Sequence, residues 1–416
     1  MKTAFLLTGN ELMSGDIVDS NSAEMAQMLF EIGLNVDTKV TVGDDRHALQ
    51  HYIDHLSKAH DILIINGGLG PTQDDLTAEI LAHVAGLAIE EHPQARAHLE
   101  RWCEQRRVEL SRANLKQAML PAGCKIIPND RGSAVGFELA LNGCRVMTTP
   151  GVPSELRLMM RHHILPTLEA DHSLCFDKLQ CFGLGESRIQ QMVHDQCPDW
   201  PSNMDLGFRA GMPLLEVKLR SKGEPALHAQ TLTTLRELLG DHVVCDGNGS
   251  LPGTVVSLLA ARGEQLTCAE SCTGGRIASE ITSVPGSSAV FGAGFVTYAN
   301  AMKSDMLGVN PATLTTQGAV SEHTVREMAL GAMRRSGAHW GVAVSGIAGP
   351  DGGTEDKPVG TVWIAWGQAH ALHTKQLRLR MDRTTFQRMV SAICLDLLRR
   401  DISGITTEPS YFGRYL

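Results

Sequence analysis

The sequence predicts an α/β protein, with two α/β sandwich domains of mainly parallel sheet joined by a small α+β domain. Three observations carry this. Short apolar runs alternate with amphipathic helical segments over residues 1–170, and the same alternation restarts near 249. Between them, 171–248 reads strand, helix, two strands, helix, strand, too little chain for the same architecture. Glycine is rich, 41 of 416 residues, about a tenth against a usual ~7%. Several of these glycines cluster just after predicted strands, where open α/β sheets bind ligands. The domains are therefore 1–170, 171–248 and 249–416.

The elements follow in order. Residues 2–8 read as a strand, and Asn21 with Glu24 three later reads as a capping box opening a helix. Met25, Met28, Leu29 and Ile32 then share one helical face. A strand over 35–42, a helix over 45–59 and a strand over 61–66 complete a βαβαβ order, which predicts a parallel sheet with helices on both faces. Pro166 and the polar stretch 169–173 mark the first boundary, and the Gly/Asn/Ser/Pro-rich stretch 246–252 reads as a linker. Beyond it come a helix, a strand over 265–270, a helix over 273–283, strands over 291–298 and 339–344, and a last helix over 384–398. On that last helix Phe386, Met389, Val390, Ile393 and Leu397 share a face.

Composition excludes several classes of function. Forty-six acidic against 37 basic residues leave a formal charge of −9, which disfavours nucleic-acid partners because these need clustered cations. A competence-related accessory that binds DNA is disfavoured on the same ground. Ten cysteines contain no C-x-x-C pair, so a cysteine zinc site is not expected. The first apolar run is four residues, and no stretch approaches the ~20 needed to span a bilayer. The expectation is a cytoplasmic protein with reduced thiols, no membrane partner and small-molecule substrates.

Two loop clusters carry chemistry. The predicted strand ending at Asn66 runs into Gly67-Gly-Leu-Gly-Pro-Thr-Gln-Asp-Asp75. Here Gly67, Gly68, Gly70 and Thr72 would let the backbone cradle a phosphate. A second loop, Gly9–Asn21, would meet it at the same sheet edge. Together they offer Glu11, Asp16, Asp19, Asp74 and Asp75, hard oxygens suited to a divalent ion beside a phosphate. Asp74 and Asp75 also suit a helix start by the dipole preference. With Pro150-Gly-Val-Pro-Ser-Glu155, these loops resemble the N-terminal, molybdopterin-binding-like domain of the CinA (competence/damage-inducible protein A) family. The resemblance implies hydrolysis of ADP-ribose at its pyrophosphate with Mg, Co or Mn, the ion held by Glu11, Asp16, Asp74 and Asp75. A non-catalytic pterin- or nucleotide-binding module is the alternative. One departure stands out: Ser133-Ala-Val-Gly136 replaces the family's usual Thr-Ala-Pro-Gly.

In the second cluster, the strand ending at Glu270 delivers Ser271-Cys-Thr-Gly-Gly275, and a strand–helix junction supplies Tyr298, Asn300 and Lys303. A third turn, Ser345-Gly-Ile-Ala-Gly-Pro-Asp-Gly-Gly353, completes it. A serine at a sharp strand-to-helix turn is exposed, but it needs a base. A lysine held away from water loses pKa and can serve. Blander roles compete: Ser271 as a helix cap, Lys303 as a solvated lysine, Tyr298 as a core-edge phenol. Cys272 with His323 as base is a rival nucleophile, and spacing alone leaves Ser271 and Cys272 both open.

Residues 269–275, 294–300 with Lys303, 318–321, 345–353 and 357–361 resemble the C-terminal domain of the same family, a nicotinamide-nucleotide amidase. The resemblance places the nucleophile on Ser271, the base on Lys303 and an assisting hydroxyl on Tyr298, through which the Lys303 proton would be relayed. It implies conversion of nicotinamide mononucleotide to nicotinic acid mononucleotide and ammonia without a cofactor, in a homodimer. Backbone N–H groups of Cys272, Thr273, Gly274 and Gly275 would hold the oxyanion. Asn300, Ser345, Gly346, Gly349, Gly352 and Gly353 would line the substrate, with Arg276 or Arg383 on its phosphate.

Overall fold

In the computed structural model, which describes residues 1–169 and 173–415, the chain forms two compact units, residues 1–174 and 175–416. The boundary expected between 170 and 171 lies outside the described residues.

The first unit opens with β1 (Thr3–Thr8), α1 (Asn10–Ser14), α2 (Asn21–Glu31), β2 (Thr38–Val42), α3 (Arg46–Ala59) and β3 (Ile62–Asn66). It continues through α4 (Thr77–Ala85), β4 (Ile89–Glu91), α5 (Pro93–Arg106), α6 (Arg112–Leu115) and β5 (Met119–Pro121). β6 (Lys125–Ile127), β7 (Gly136–Leu141), β8 (Cys144–Thr149) and α7 (Pro153–Met159) follow. The main sheet runs β2-β1-β3-β8-β7-β6, parallel through β8 and then antiparallel. Its antiparallel edge comes from Asn142-Gly143, both at positive φ, a two-residue hairpin signal the period-based reading passed over. Along β1 and β3 the side chains alternate between two cores. Ala4, Leu6, Leu63 and Ile65 enter one, and Phe5, Leu7, Ile62 and Ile64 the other. Both faces are therefore buried, as parallel strands require.

The capping box at Asn21 is not formed. Asp19 takes the cap instead, accepting from the Ser22 N–H at 2.9 Å, and Glu24 pairs with Arg157. Asn21 is buried and turned inward, donating to Asn66 Oδ1 at 2.9 Å and Gly151 O at 2.7 Å. An inward-facing amide that ties loops together defeats a cap motif read from spacing alone.

The second unit begins with β9 (Leu174–Cys181), α8 (Glu186–Gln196), β10 (Met204–Ala210), β11 (Leu215–Lys222), α9 (Pro225–Leu239) and β12 (Val243–Asp246), in the sheet order β10-β11-β9-β12. Then come α10 (Leu251–Arg262), β13 (Leu266–Glu270), α11 (Arg276–Thr282), β14 (Phe291–Val296), α12 (Asn300–Leu307) and α13 (Pro311–Thr316). The chain ends with α14 (Glu322–Ser336), β15 (Trp340–Gly346), β16 (Thr361–Gln368), β17 (Ala371–Arg378), α15 (Arg383–Ile402) and α16 (Tyr411–Arg414). The second sheet is β14-β13-β15-β16-β17, parallel over its first three strands and antiparallel after.

The stretch expected to be a linker is a tight junction. Gly247 donates to Lys178 O at 2.9 Å, and Ser250 caps α10 by accepting from the Gly253 N–H. Phe182 and Val244 share one core with Leu251, Ile402, Tyr411 and Phe412. Arg399 of α15, nearly fully buried, donates to Asp241 O at 2.7 Å and to Asp396, which also accepts from the Tyr411 hydroxyl. Among the described residues, no helix is long and apolar enough to cross a membrane.

Candidate active sites

At the end of β13 the chain turns sharply, with Gly274 and Gly275 at positive φ. The Ser271 N–H donates to Val344 O at 3.1 Å, pinning the turn to β15. Gly275 occupies the cap position of α11 and offers no side chain. Glu270 takes over that role from a fully buried position. It accepts from the Thr273 hydroxyl at 2.6 Å and from the N–H groups of Gly275, Ile277 and Ala278 at 3.0, 3.1 and 2.9 Å. Ser271 is therefore released from capping. Sequence reading missed Glu270, because its partners lie up to eight residues ahead across an irregular turn.

Glu270→Gln is expected to replace one acceptor by a donor facing the Ala278 N–H, lowering stability by about 2 kcal/mol. A urea melt checks it, and an unchanged midpoint would show that the carboxylate does not hold the turn.

Lys303, on the second turn of α12, is 1% exposed. Its Nζ lies 3.1 Å from Ser271 Oγ and donates to the carbonyls of Thr297 at 2.8 Å and Tyr298 at 3.3 Å. No carboxylate among the described residues pairs with it, and burial lowers its pKa below the ordinary lysine range. The relay through the Tyr298 hydroxyl is not built. That phenol is 60% exposed and accepts from Arg383 Nη2 at 2.9 Å, while Lys303 reaches Ser271 directly. Arg383 also donates through Nη1 to Gly349 O at 2.9 Å, bridging two loops with only neutral acceptors. Arg276 instead lies 3.9 Å from Glu280.

The rival thiol is poorly placed. Cys272 is buried, and burial pushes its pKa up to about 12, the wrong direction for a thiolate nucleophile. His323 is exposed on the first turn of α14 and makes no bond to it. The expected oxyanion donors narrow as well. Gly274 donates to Ser271 O, and Gly275 to Glu270, whereas the N–H groups of Cys272 and Thr273 have no partner among the described residues. Gln387, also missed from sequence, holds Cys272 O at 2.9 Å from α15.

Ser345, expected to line the substrate, is buried and donates its hydroxyl to Ala319 O at 2.7 Å. Gly346 ends β15, and Gly349, Gly352 and Gly353 form the turn beyond it. A Cβ on Gly349 would meet Val359 at 2.6 Å, so that turn packs closely on the segment leading into β16. Asn300 is exposed at the first position of α12.

In the first unit the three expected loops do meet. Asn66 donates to Thr149 and to Pro150 O, and the Gly67 N–H donates to Thr149 O. Gly68, at positive φ, sits where a Cβ would be 2.4 Å from Thr77 Oγ1. A cavity of about 560 Å³ results, lined by Gly67, Gly68, Gly70, Glu11, Asp74 and Asp75, by Glu155 at the end of the third loop, and by Asp44, which sequence reading did not include. The N–H groups of Gly68, Leu69 and Gly70 have no partner among the described residues.

The acidic set does not assemble as expected. Asp16 is exposed, accepts from Ser14 at 2.7 Å and does not line the cavity. Asp75 accepts from the Thr72 N–H at 2.8 Å and from its hydroxyl. Among the described residues no three acidic, histidine or cysteine side chains converge as a metal-holding group, so Glu11, Asp16, Asp74 and Asp75 do not fit a resident ion.

Residues 248–402 match the CinA C-terminal domain, and residues 4–170 match a probable molybdopterin binding domain. A "CinA-like protein" of Colwellia psychrerythraea is 52% identical over 99% of this chain and 98% of its own. A "Nicotinamide-nucleotide amidohydrolase PncC" of Shewanella oneidensis is 39% identical over the full length of both. The solved competence/damage inducible protein CihA of Agrobacterium tumefaciens is 44% identical, covering 36% of this chain and 91% of its own, with a TM-score of 0.35. With likeness of this extent along its whole length, the chain belongs to the CinA family.

Proposed function

We propose that the second unit hydrolyses nicotinamide mononucleotide to nicotinic acid mononucleotide and ammonia. The observation that carries this is the buried, uncompensated Lys303 amine 3.1 Å from Ser271 Oγ. Neutral Lys303 takes the Ser271 proton directly as Oγ attacks the carboxamide carbon. The N–H groups of Cys272 and Thr273 receive the developing oxyanion. Lys303 then returns the proton to the leaving nitrogen, ammonia departs, and water hydrolyses the acyl-enzyme by the same steps. Arg383, whose present acceptors are all neutral, is the cation for the 5′-phosphate, and Tyr298 at its side faces the substrate. Ammonia release from nicotinamide mononucleotide by the purified chain tests this; no release sinks it.

We further propose that the first unit hydrolyses the pyrophosphate of ADP-ribose, so that both units act on breakdown products of NAD. The support is a single cavity combining open backbone N–H groups with Glu11, Asp74 and Asp75. A divalent ion (Mg, Mn or Co) would arrive with the pyrophosphate as part of the substrate, since Mg²⁺ commonly uses only one or two carboxylates plus phosphate oxygens. AMP is expected from ADP-ribose with at least one of these ions, falling at least tenfold in Asp74→Asn and persisting in Ser271→Ala. Absence of AMP with all three ions leaves the non-catalytic nucleotide-binding reading.

A further inference from the structure

Beside the polar cavity of the first unit lies a second, of about 420 Å³. Both are of ligand size, roughly 300–1,000 Å³. They share Gly68, Leu69, Gly70, Asp75 and Gln117 as walls, but their chemistry differs. The second is largely apolar, faced by Leu69, Ala78, Ile89, Met119, Leu120 and Val135.

Gln117 stands at the join. Its residue is 6% exposed, its Nε2 donates to Leu69 O at 3.3 Å, and its Oε1 is buried with no partner among the described residues. The amide orientation is fixed chemically, because a carbonyl such as that of Leu69 only accepts, so the nitrogen must face it. An orphaned buried acceptor costs stability unless something donates to it. Lys116, next along the chain, lines the same apolar cavity and donates to Thr72 O, steadying the loop that divides the two cavities.

We propose that Gln117 sets the base specificity of the first unit, the nucleotide ring lying in the apolar cavity and donating an N–H or NH₂ hydrogen to Gln117 Oε1 while the diphosphate lies in the polar one. The inference rests on the nucleotide reading of this unit and adds the residue that selects the ring. Seating the ring supplies apolar burial that a bare diphosphate lacks. The unpartnered Gln117 acceptor disfavours rings with no donor on that edge, because the ring and the amide would then gain no hydrogen bond in place of water.

The test is calorimetric titration of the full chain in magnesium buffer with ADP, the 5′-diphosphate of purine riboside (whose ring has no N–H) and inorganic pyrophosphate. ADP is expected to bind at least tenfold tighter than either of the others. Gln117→Leu should weaken ADP about tenfold and bring it level with the purine riboside diphosphate, leaving pyrophosphate unchanged. Ala78→Phe, which fills the apolar cavity without touching the amide, should weaken both nucleotides and again spare pyrophosphate. Equal binding of ADP and pyrophosphate, or ADP selectivity that survives Gln117→Leu, overturns the proposal while leaving a phosphate site. Absence of binding by all three probes removes both. Selective ADP binding with no AMP released from ADP-ribose supports the proposal and removes only the catalytic reading.

Discussion

Ser271→Ala is expected to reduce ammonia release from nicotinamide mononucleotide by on the order of 10⁴ or more, because removing the nucleophile leaves only binding and oxyanion stabilisation. Cys272→Ala should keep activity within a few-fold. In the proposed mechanism only the backbone N–H at 272 takes part, and desolvation keeps the buried thiol protonated. The pair of variants separates two chemistries on adjacent residues. An active Ser271→Ala beside a dead Cys272→Ala would move the nucleophile to sulfur and overturn the assignment of Lys303 as its direct partner.

Lys303→Met should lower kcat/KM by about 10³, within the range for losing a positioned general base. The pH profile carries the sharper test. The amine acts as base only when neutral, so activity falls as pH drops through its pKa and levels off above it. Burial moves that pKa below the ordinary lysine value of ~10.4, shifting the limb toward neutrality. The limb should vanish in Lys303→Met. A profile that keeps its limb in this variant would assign the base elsewhere.

Much of this was legible in the sequence, for physical reasons. Strands such as Ile62–Asn66 and Leu266–Glu270 declare themselves by apolar runs ending in glycine-rich turns. The parallel core of each sheet follows from their alternation with helices. What escaped depended on long-range geometry. Whether Lys303 is solvated or buried is decided by Thr297 and Ser271 closing over it, and α12 amphipathicity does not encode that. Asp16 looked like a cavity carboxylate because acidic loops share a composition with hydroxyl-paired turns. Gln117 and Glu270 were invisible because a buried polar residue is recognisable only by its partners. The antiparallel edge at Asn142-Gly143 was in plain view and was outweighed by the βαβ pattern.

Helix α15 touches both ends of the second unit: Arg383 and Gln387 at the mouth of the Ser271 site, and Arg399 against the Asp241 carbonyl. The seam near residue 248 is accordingly a shared interior and not a hinge. A fragment cut there would bare the surfaces that Phe182 and Val244 cover and strip Arg399 of a carbonyl partner. For anyone excising the Ser271 site, the natural unit of engineering therefore starts at β9, with the small sheet retained as part of its foundation.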